Sequence, residues 1–275
     1  IEFYTVTEGK PDEIWITGAI GTGLIRFNPK TNSIKKYLND PEHTYNSGGN
    51  FTQQSYMDKK GSIWLASTDG VYRIDDDVSK VYHYELVVDD MIIRATSITE
   101  DKKGDIWFGT QGGGLVMIAP SDTPELDKIT YINQEVPLKE NVITNVLFGG
   151  ESLFWLTTKN YLLSYNHENK RVTRYTNSYR TGVLSYTSAS SSYKDGVLFL
   201  GTTKGFQVID TSDLGINDYN PPVVITRVKT QESDLRFKIP DEDSEPMLFP
   251  FEENSVEFSF ASLDYTDPTK NRYRY

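Results

Sequence analysis

The chain has no cysteine among its 275 residues. That excludes disulfides and thiolate metal sites, and it fits a surface or periplasmic domain that carries no free thiols. Basic residues are scarce. Lys and Arg number 28 against 39 Asp and Glu, a net charge of −11. Nucleic acid needs a basic face, so that partner is disfavoured. The same charge offers no trap for a polyanion. No apolar run reaches the roughly 18 residues that a spanning helix needs, and no signal peptide opens the chain. No amphipathic helix of ordinary length is written anywhere in it.

What is present is a repeat. Asp12-Glu13-Ile14-Trp15-Ile16, Gly61-Ser62-Ile63-Trp64-Leu65, Gly104-Asp105-Ile106-Trp107-Phe108 and Ser152-Leu153-Phe154-Trp155-Leu156 each place a Trp mid-strand. Gly196-Val197-Leu198-Phe199-Leu200 puts Phe there instead. The steps are 49, 43, 48 and 44 residues. A period of roughly 40–50 residues filled with short strands signals a β-propeller blade. The third copy reads most cleanly. Ala95–Glu100 is a first strand, and Asp101-Lys102-Lys103-Gly104 is a tight turn in which Gly supplies the positive φ. Asp105–Thr110, Leu115–Ile118 and Lys128–Ile132 are the second, third and outer strands. No fourth strand follows the fifth copy.

The pattern breaks after Asp210, at Asn220-Pro221-Pro222. Val223–Val228, Leu235–Phe237 and the strictly alternating Ser255–Phe260 read as further strands, with an acidic loop at Asp241–Pro246. The expected fold is therefore all-β. Residues 1–215 form five propeller blades, and residues 216–275 form the start of an Ig-like β-sandwich too short to be complete. The chain is expected to be a fragment.

The third repeat, Ser97 through Thr110, closely resembles the two-component regulator propeller repeat. Asn254–Tyr265 and the Asn271-Arg272-Tyr273-Arg274-Tyr275 run resemble the opening of the Tyr-rich Ig-like module that follows such propellers. The Pro221-Pro222 junction also falls where that family has it. The resemblance covers essentially the whole chain. It implies the periplasmic sensor region of a hybrid two-component histidine kinase from glycan-degrading bacteria. Such a receptor has a membrane helix downstream, then cytoplasmic kinase, receiver and DNA-binding parts, none of which lies in this sequence. The resemblance further implies an oligosaccharide ligand, a homodimeric parent, and no cofactor or turnover in this region. Family propellers have seven blades, so five repeats imply a chain that begins inside the second propeller.

Candidate residues follow from the repeat. Trp15, Trp64, Trp107, Trp155 and Phe199 are read as packing between blades rather than as sugar-stacking platforms, because mid-strand aromatics are mostly core. The Asp58 and Asp101 turns lack the alternating ligands of a calcium loop. Asp75-Asp76-Asp77 reads as a solvated acidic turn. His43, His83 and His167 fall in a loop, an outer strand and a turn, so neither a metal site nor a histidine base is expected. A propeller lyase or hydrolase, the alternative reading, would carry functional side chains around the central channel. Here Glu8 and Glu100 end first strands, with Asp58 and Gly149 near the corresponding ends in repeats two and four, so no ring of equivalent carboxylates emerges. Ligand candidates lie instead in loops that lead into first strands. They are Tyr45, Asn46 and Asn50, then Arg94, Asn141, Tyr179 and Arg180, which offer aromatic faces and planar hydrogen-bonding groups suited to sugars. Turn geometry alone also accounts for the Asn and Gly residues there.

Overall fold

The computed structural model describes residues 3–18, 24–37, 52–75, 80–136, 138–175, 185–188, 191–214, 223–230, 234–236 and 255–262. Contacts divide the chain into two compact units, Ile1–Gly215 and Ile216–Tyr275. Nearly every described element is a strand. The exceptions are two 3-10 turns, Pro124–Leu126 and Thr211–Asp213, and a four-residue helix α1 (Ile132–Glu135).

The first unit is a row of five blades. β1 (Phe3–Glu8), β2 (Ile14–Gly18), β3 (Leu24–Asn28) and β4 (Ser33–Tyr37) make the first. β5 (Thr52–Met57), β6 (Ile63–Ser67), β7 (Gly70–Ile74) and β8 (Val81–Tyr84) make the second. A small hairpin, β9 (Val87–Val88) and β10 (Met91–Ile92), leads into the third blade. That blade is β11 (Arg94–Glu100), β12 (Ile106–Gln111), β13 (Leu115–Ala119) and β14 (Lys128–Tyr131). β15 (Asn145–Gly150), β16 (Leu153–Thr157), β17 (Leu162–Asn166) and β18 (Arg171–Tyr175) make the fourth. β19 (Ser192–Lys194), β20 (Val197–Thr202) and β21 (Gly205–Asp210) make a fifth of three strands. Each sheet is an antiparallel meander in chain order. The short turns between strands leave no other pairing within reach.

One register runs through the copies. Trp15, Trp64, Trp107 and Trp155 lie opposite Thr7, Tyr56, Thr99 and Leu147 on the first strands. Since side chains alternate faces along a strand, this common register turns every Trp to the same side of its blade. That side meets the following blade. Trp15 packs on Ile63, Leu65 and Tyr72, and Trp64 on Ile98, Ile106 and Phe108. Trp107 packs on Val146, Phe154 and Tyr165, and Trp155 on Leu198 and Leu200. All four indoles are buried, so none offers a face to a sugar.

Phe199 departs from the expected core role. It is 41% exposed, although it holds the same register position opposite Val208. The cause is the missing neighbour: among the described residues no sixth blade covers this face. Phe206 (77%) and Val208 (51%) are exposed beside it for the same reason.

The Asp turns are hairpins with a second duty. Asp58 Oδ1 accepts the backbone N–H of Lys60 and Ser62 at 2.9 and 2.8 Å, and Oδ2 accepts the Trp64 indole at 2.8 Å. Asp101 repeats this on Lys103, Asp105 and Trp107 at 2.8, 3.0 and 3.1 Å. Gly61 and Gly104 close the turns at φ +91° and +89°. The carboxylates are thus filled by N–H donors, which leaves no calcium loop. In the first and fourth blades Gly9 and Gly149 stand in the Asp place, and the Trp15 and Trp155 indoles have no hydrogen-bond partner among the described residues. Asp101→Ala should cost about 2 kcal/mol, since it strands buried donors that a charged acceptor served. Denaturant melts of Asp101→Ala, Trp107→Phe and the double variant check it. The indole bond predicts that the two losses do not add.

In the second unit the described residues form one antiparallel sheet. Its order is β23 (Asp234–Arg236), β22 (Val223–Lys229), β24 (Glu257–Ser262). Phe237, the acidic loop at 241–246 and the strand expected at 271–275 lie outside the described residues.

Candidate functional site: the cavity at the first strands

The first strands of successive blades pack side by side, so their inward side chains enclose a cavity of about 440 Å³. Blade one contributes Thr5, Val6 and Thr7, and blade two Gln53, Gln54, Ser55 and Tyr56. Ser97 comes from blade three, Asn145, Val146 and Leu147 from blade four, and Ser188 and Ser191 from blade five. The lining is hydroxyl, amide and apolar. Among the described residues no carboxylate, histidine or cation belongs to it.

Thr5, Gln54, Ser97 and Asn145 each stand ten residues before a repeat Trp. Each reaches into the next blade. The backbone N–H of Ser55 donates to Thr5 Oγ1 at 3.3 Å, that of Ile98 to Gln54 Oε1 at 2.7 Å, and that of Val146 to Ser97 Oγ at 3.0 Å. Asn145 Nδ2 donates to the Thr187 carbonyl at 2.7 Å. Adjacent first strands do not share a sheet, so side chains satisfy the inward backbone groups that no ladder reaches. Thr7 adds a contact to Ser55 Oγ at 2.6 Å. Sequence reasoning missed this ring. Its signal was the spacing, hidden because four different polar residue types fill one position.

The loop candidates fare unevenly. Arg94 opens β11, exposed, opposite Gln111. Val142 bridges the same Gln111, and the Asn141 carbonyl accepts the N–H of Gly112 and Gly114 at 2.7 and 3.0 Å. Arg94 and Asn141 therefore share one edge of the third blade. Asn141 is held as a turn residue, with its Oδ1 taking Asn133 Nδ2 at 3.3 Å. The approach to Arg94, read as a plain loop, is the β9–β10 hairpin, which turns through Asp89 and Asp90 at φ +50° and +60°. Neither Arg94 nor Asn141 lines the cavity. Tyr45, Asn46, Asn50, Tyr179 and Arg180 lie outside the described residues.

Nearby titratable groups are tied into blade contacts. Glu100 Oε2 accepts the Tyr56 hydroxyl at 3.3 Å and the Lys59 N–H at 3.2 Å. Burial pushes the Glu100 carboxyl up, against the pull of Lys59. Burial and then Glu100 push the Tyr56 hydroxyl up. Glu8, the other carboxylate that ends a first strand, is exposed. Among the described residues no group of three or more His, Asp or Glu could hold a metal.

His167 follows the fourth blade's third strand. Its Nδ1 lies 3.1 Å from the Tyr165 hydroxyl and its ring meets Trp107 edge-on at 4.9 Å. Burial, then Lys170 and Lys103, lower its pKa. A histidine whose pKa the fold lowers contributes stability that is fully present above the free imidazole pKa and is lost as pH falls from that value through the lowered one. Melting temperature should drop between about pH 7 and pH 5. The drop should be shallower in His167→Gln. Parallel slopes would contradict this.

Residues 89–112 match the two-component regulator propeller repeat. They span the turn of the small hairpin and the first two strands of the third blade. The other four blades share its strand register. The chain is 24% identical, over 98% of its length, to histidine kinase P4 of Formosa agariphila, and spans 20% of that protein. In fold it is similar to the extracellular domain assigned to a hybrid two-component system of B. thetaiotaomicron. The TM-score there is 0.54 at 17% identity, over 85% of this chain and 30% of that one. Virginiamycin B lyase from Staphylococcus aureus is also similar, with a TM-score of 0.54 at 16% identity, over 76% of this chain and 70% of that one. At such identities these likenesses show the propeller fold alone.

Proposed function

We propose that this chain is the periplasmic ligand-sensing region of a hybrid two-component receptor, that its ligand is an oligosaccharide, and that it binds without turnover. One observation carries the non-catalytic part: the cavity where the first strands meet has a neutral lining. A lyase or hydrolase at that place needs a general acid or base within reach of the scissile bond. The polar groups of the described lining are hydroxyls and amides, most of them tied into blade contacts. Support for sensing comes from the regulator repeat and from the histidine kinase relative. In this reading residues 216–275 form the opening of an Ig-like module that passes the bound state toward the membrane, and the parent acts as a homodimer. Incubation with neutral oligosaccharides, lactones and uronic acid polymers, followed by mass spectrometry, should return each unchanged. Reproducible cleavage that a cavity substitution abolishes would establish the lyase or hydrolase reading instead.

A further inference from the structure

We propose that the first-strand cavity takes a neutral sugar unit and discriminates against uronates and sulfated sugars. The inference rests on the oligosaccharide reading and names the chemical class within it. Three observations carry it.

First, the ring that ties the blades together uses one end of each polar side chain. Gln54 spends Oε1 on the Ile98 N–H, which leaves its amide N–H₂. Asn145 spends Nδ2 on Thr157 and Thr187, which leaves Oδ1. Ser97 accepts the Val146 N–H and keeps its own proton. Uncommitted donors on Gln54 and Ser97 and an uncommitted acceptor on Asn145 therefore share the wall, as a polyol requires, since each sugar hydroxyl both gives and takes.

Second, Gln53 is committed to nothing. It occupies the bulge in β5 where the register slips between Thr52 and Gln54. It lines the cavity and makes no side-chain hydrogen bond to a described residue. A bulge re-aims one side chain out of the ladder, which is how such irregularities serve sites. The amide supplies two donors and one acceptor to an incoming ligand.

Third, among the described residues nothing in the wall neutralises an anion. A carboxylate or sulfate buried there would lose hydration with no cation to replace it. The chain's charge of −11 opposes its approach as well. At about 440 Å³ the cavity falls in the ordinary range for small-ligand sites.

Titration calorimetry of the chain with maltotriose, xylotriose and mannotriose, and with trigalacturonate, tests the class. At least one neutral sugar should bind and trigalacturonate should not. Gln53→Leu should weaken the neutral sugar at least tenfold, with a melting temperature unchanged because the side chain holds no structural bond. Gln53→Arg should reverse the preference and give trigalacturonate measurable affinity. Binding of trigalacturonate alone would overturn neutral selectivity and leave the sensing reading standing. Neutral binding that survives both Gln53 variants but is lost in Arg94→Ala would move the ligand to the blade-three edge and overturn the cavity assignment. No binding by any of the four sugars would overturn the oligosaccharide reading itself.

Discussion

Replacing Trp107 by alanine is expected to cost about 3–5 kcal/mol, the loss that follows deletion of a large buried aromatic. The indole is fully buried between blades three and four. Its ring lies 4.2 Å from Phe154 and 6.3 Å from Tyr165 by centroid, and its N–H serves Asp101. Deletion removes the transfer energy, leaves a cavity the strands cannot close, and strands a buried carboxylate oxygen. The comparison that isolates packing is Phe199→Ala. It removes an aromatic from the same register position on a face that no further blade covers among the described residues, and should cost under about 1 kcal/mol. Denaturant unfolding of both variants reads the difference. Equal losses would mean that burial between blades is not what the repeat Trp supplies.

Asp127→Ala should be comparably severe, about 3–5 kcal/mol, for an electrostatic reason. Asp127 Oδ2 pairs with Arg73 Nη1 at 3.1 Å, with side chains 0% and 8% exposed. The same oxygen accepts the Tyr84 hydroxyl at 2.6 Å, and Oδ1 accepts the Ser121 N–H at 2.6 Å. Burial opposes charge on Arg73, but Asp127 and Tyr84 together outweigh it and hold the guanidinium charged. The guanidinium also lies over the Trp64 ring, 5.6 Å from its centroid. Removing the carboxylate leaves a buried cation without its partner. Arg73→Met in the same background should restore part of the loss, because an apolar side chain of similar length has no charge to desolvate. A double variant no better than Asp127→Ala would show that the cost lies in the Tyr84 and Ser121 bonds instead.

The blades were legible because their determinant is periodic. Five mid-strand aromatics at steps of 43 to 49 residues, with Gly-closed turns, leave little room for another fold. The exposure of Phe199 was not legible, because burial belongs to the neighbour and not to the residue. The Arg73–Asp127 pair spans 54 residues and has no local signature. Thr5, Gln54, Ser97 and Asn145 share a task, accepting or donating across a blade boundary, that several residue types perform equally well. A search for matching chemistry passes over them, whereas counting back ten residues from each Trp finds them. Gln53 is marked by nothing in the sequence. A bulge shows only when the ladder is laid out.

Hydrogen exchange with and without the tightest-binding neutral trisaccharide tests the account most directly, with the sugar recovered and weighed afterwards. The account predicts slowed exchange in peptides covering β5, β11 and β15, little change in the β9–β10 hairpin, and a sugar of unaltered mass. Protection confined to the hairpin and the 138–144 segment, or a cleaved sugar, would contradict it.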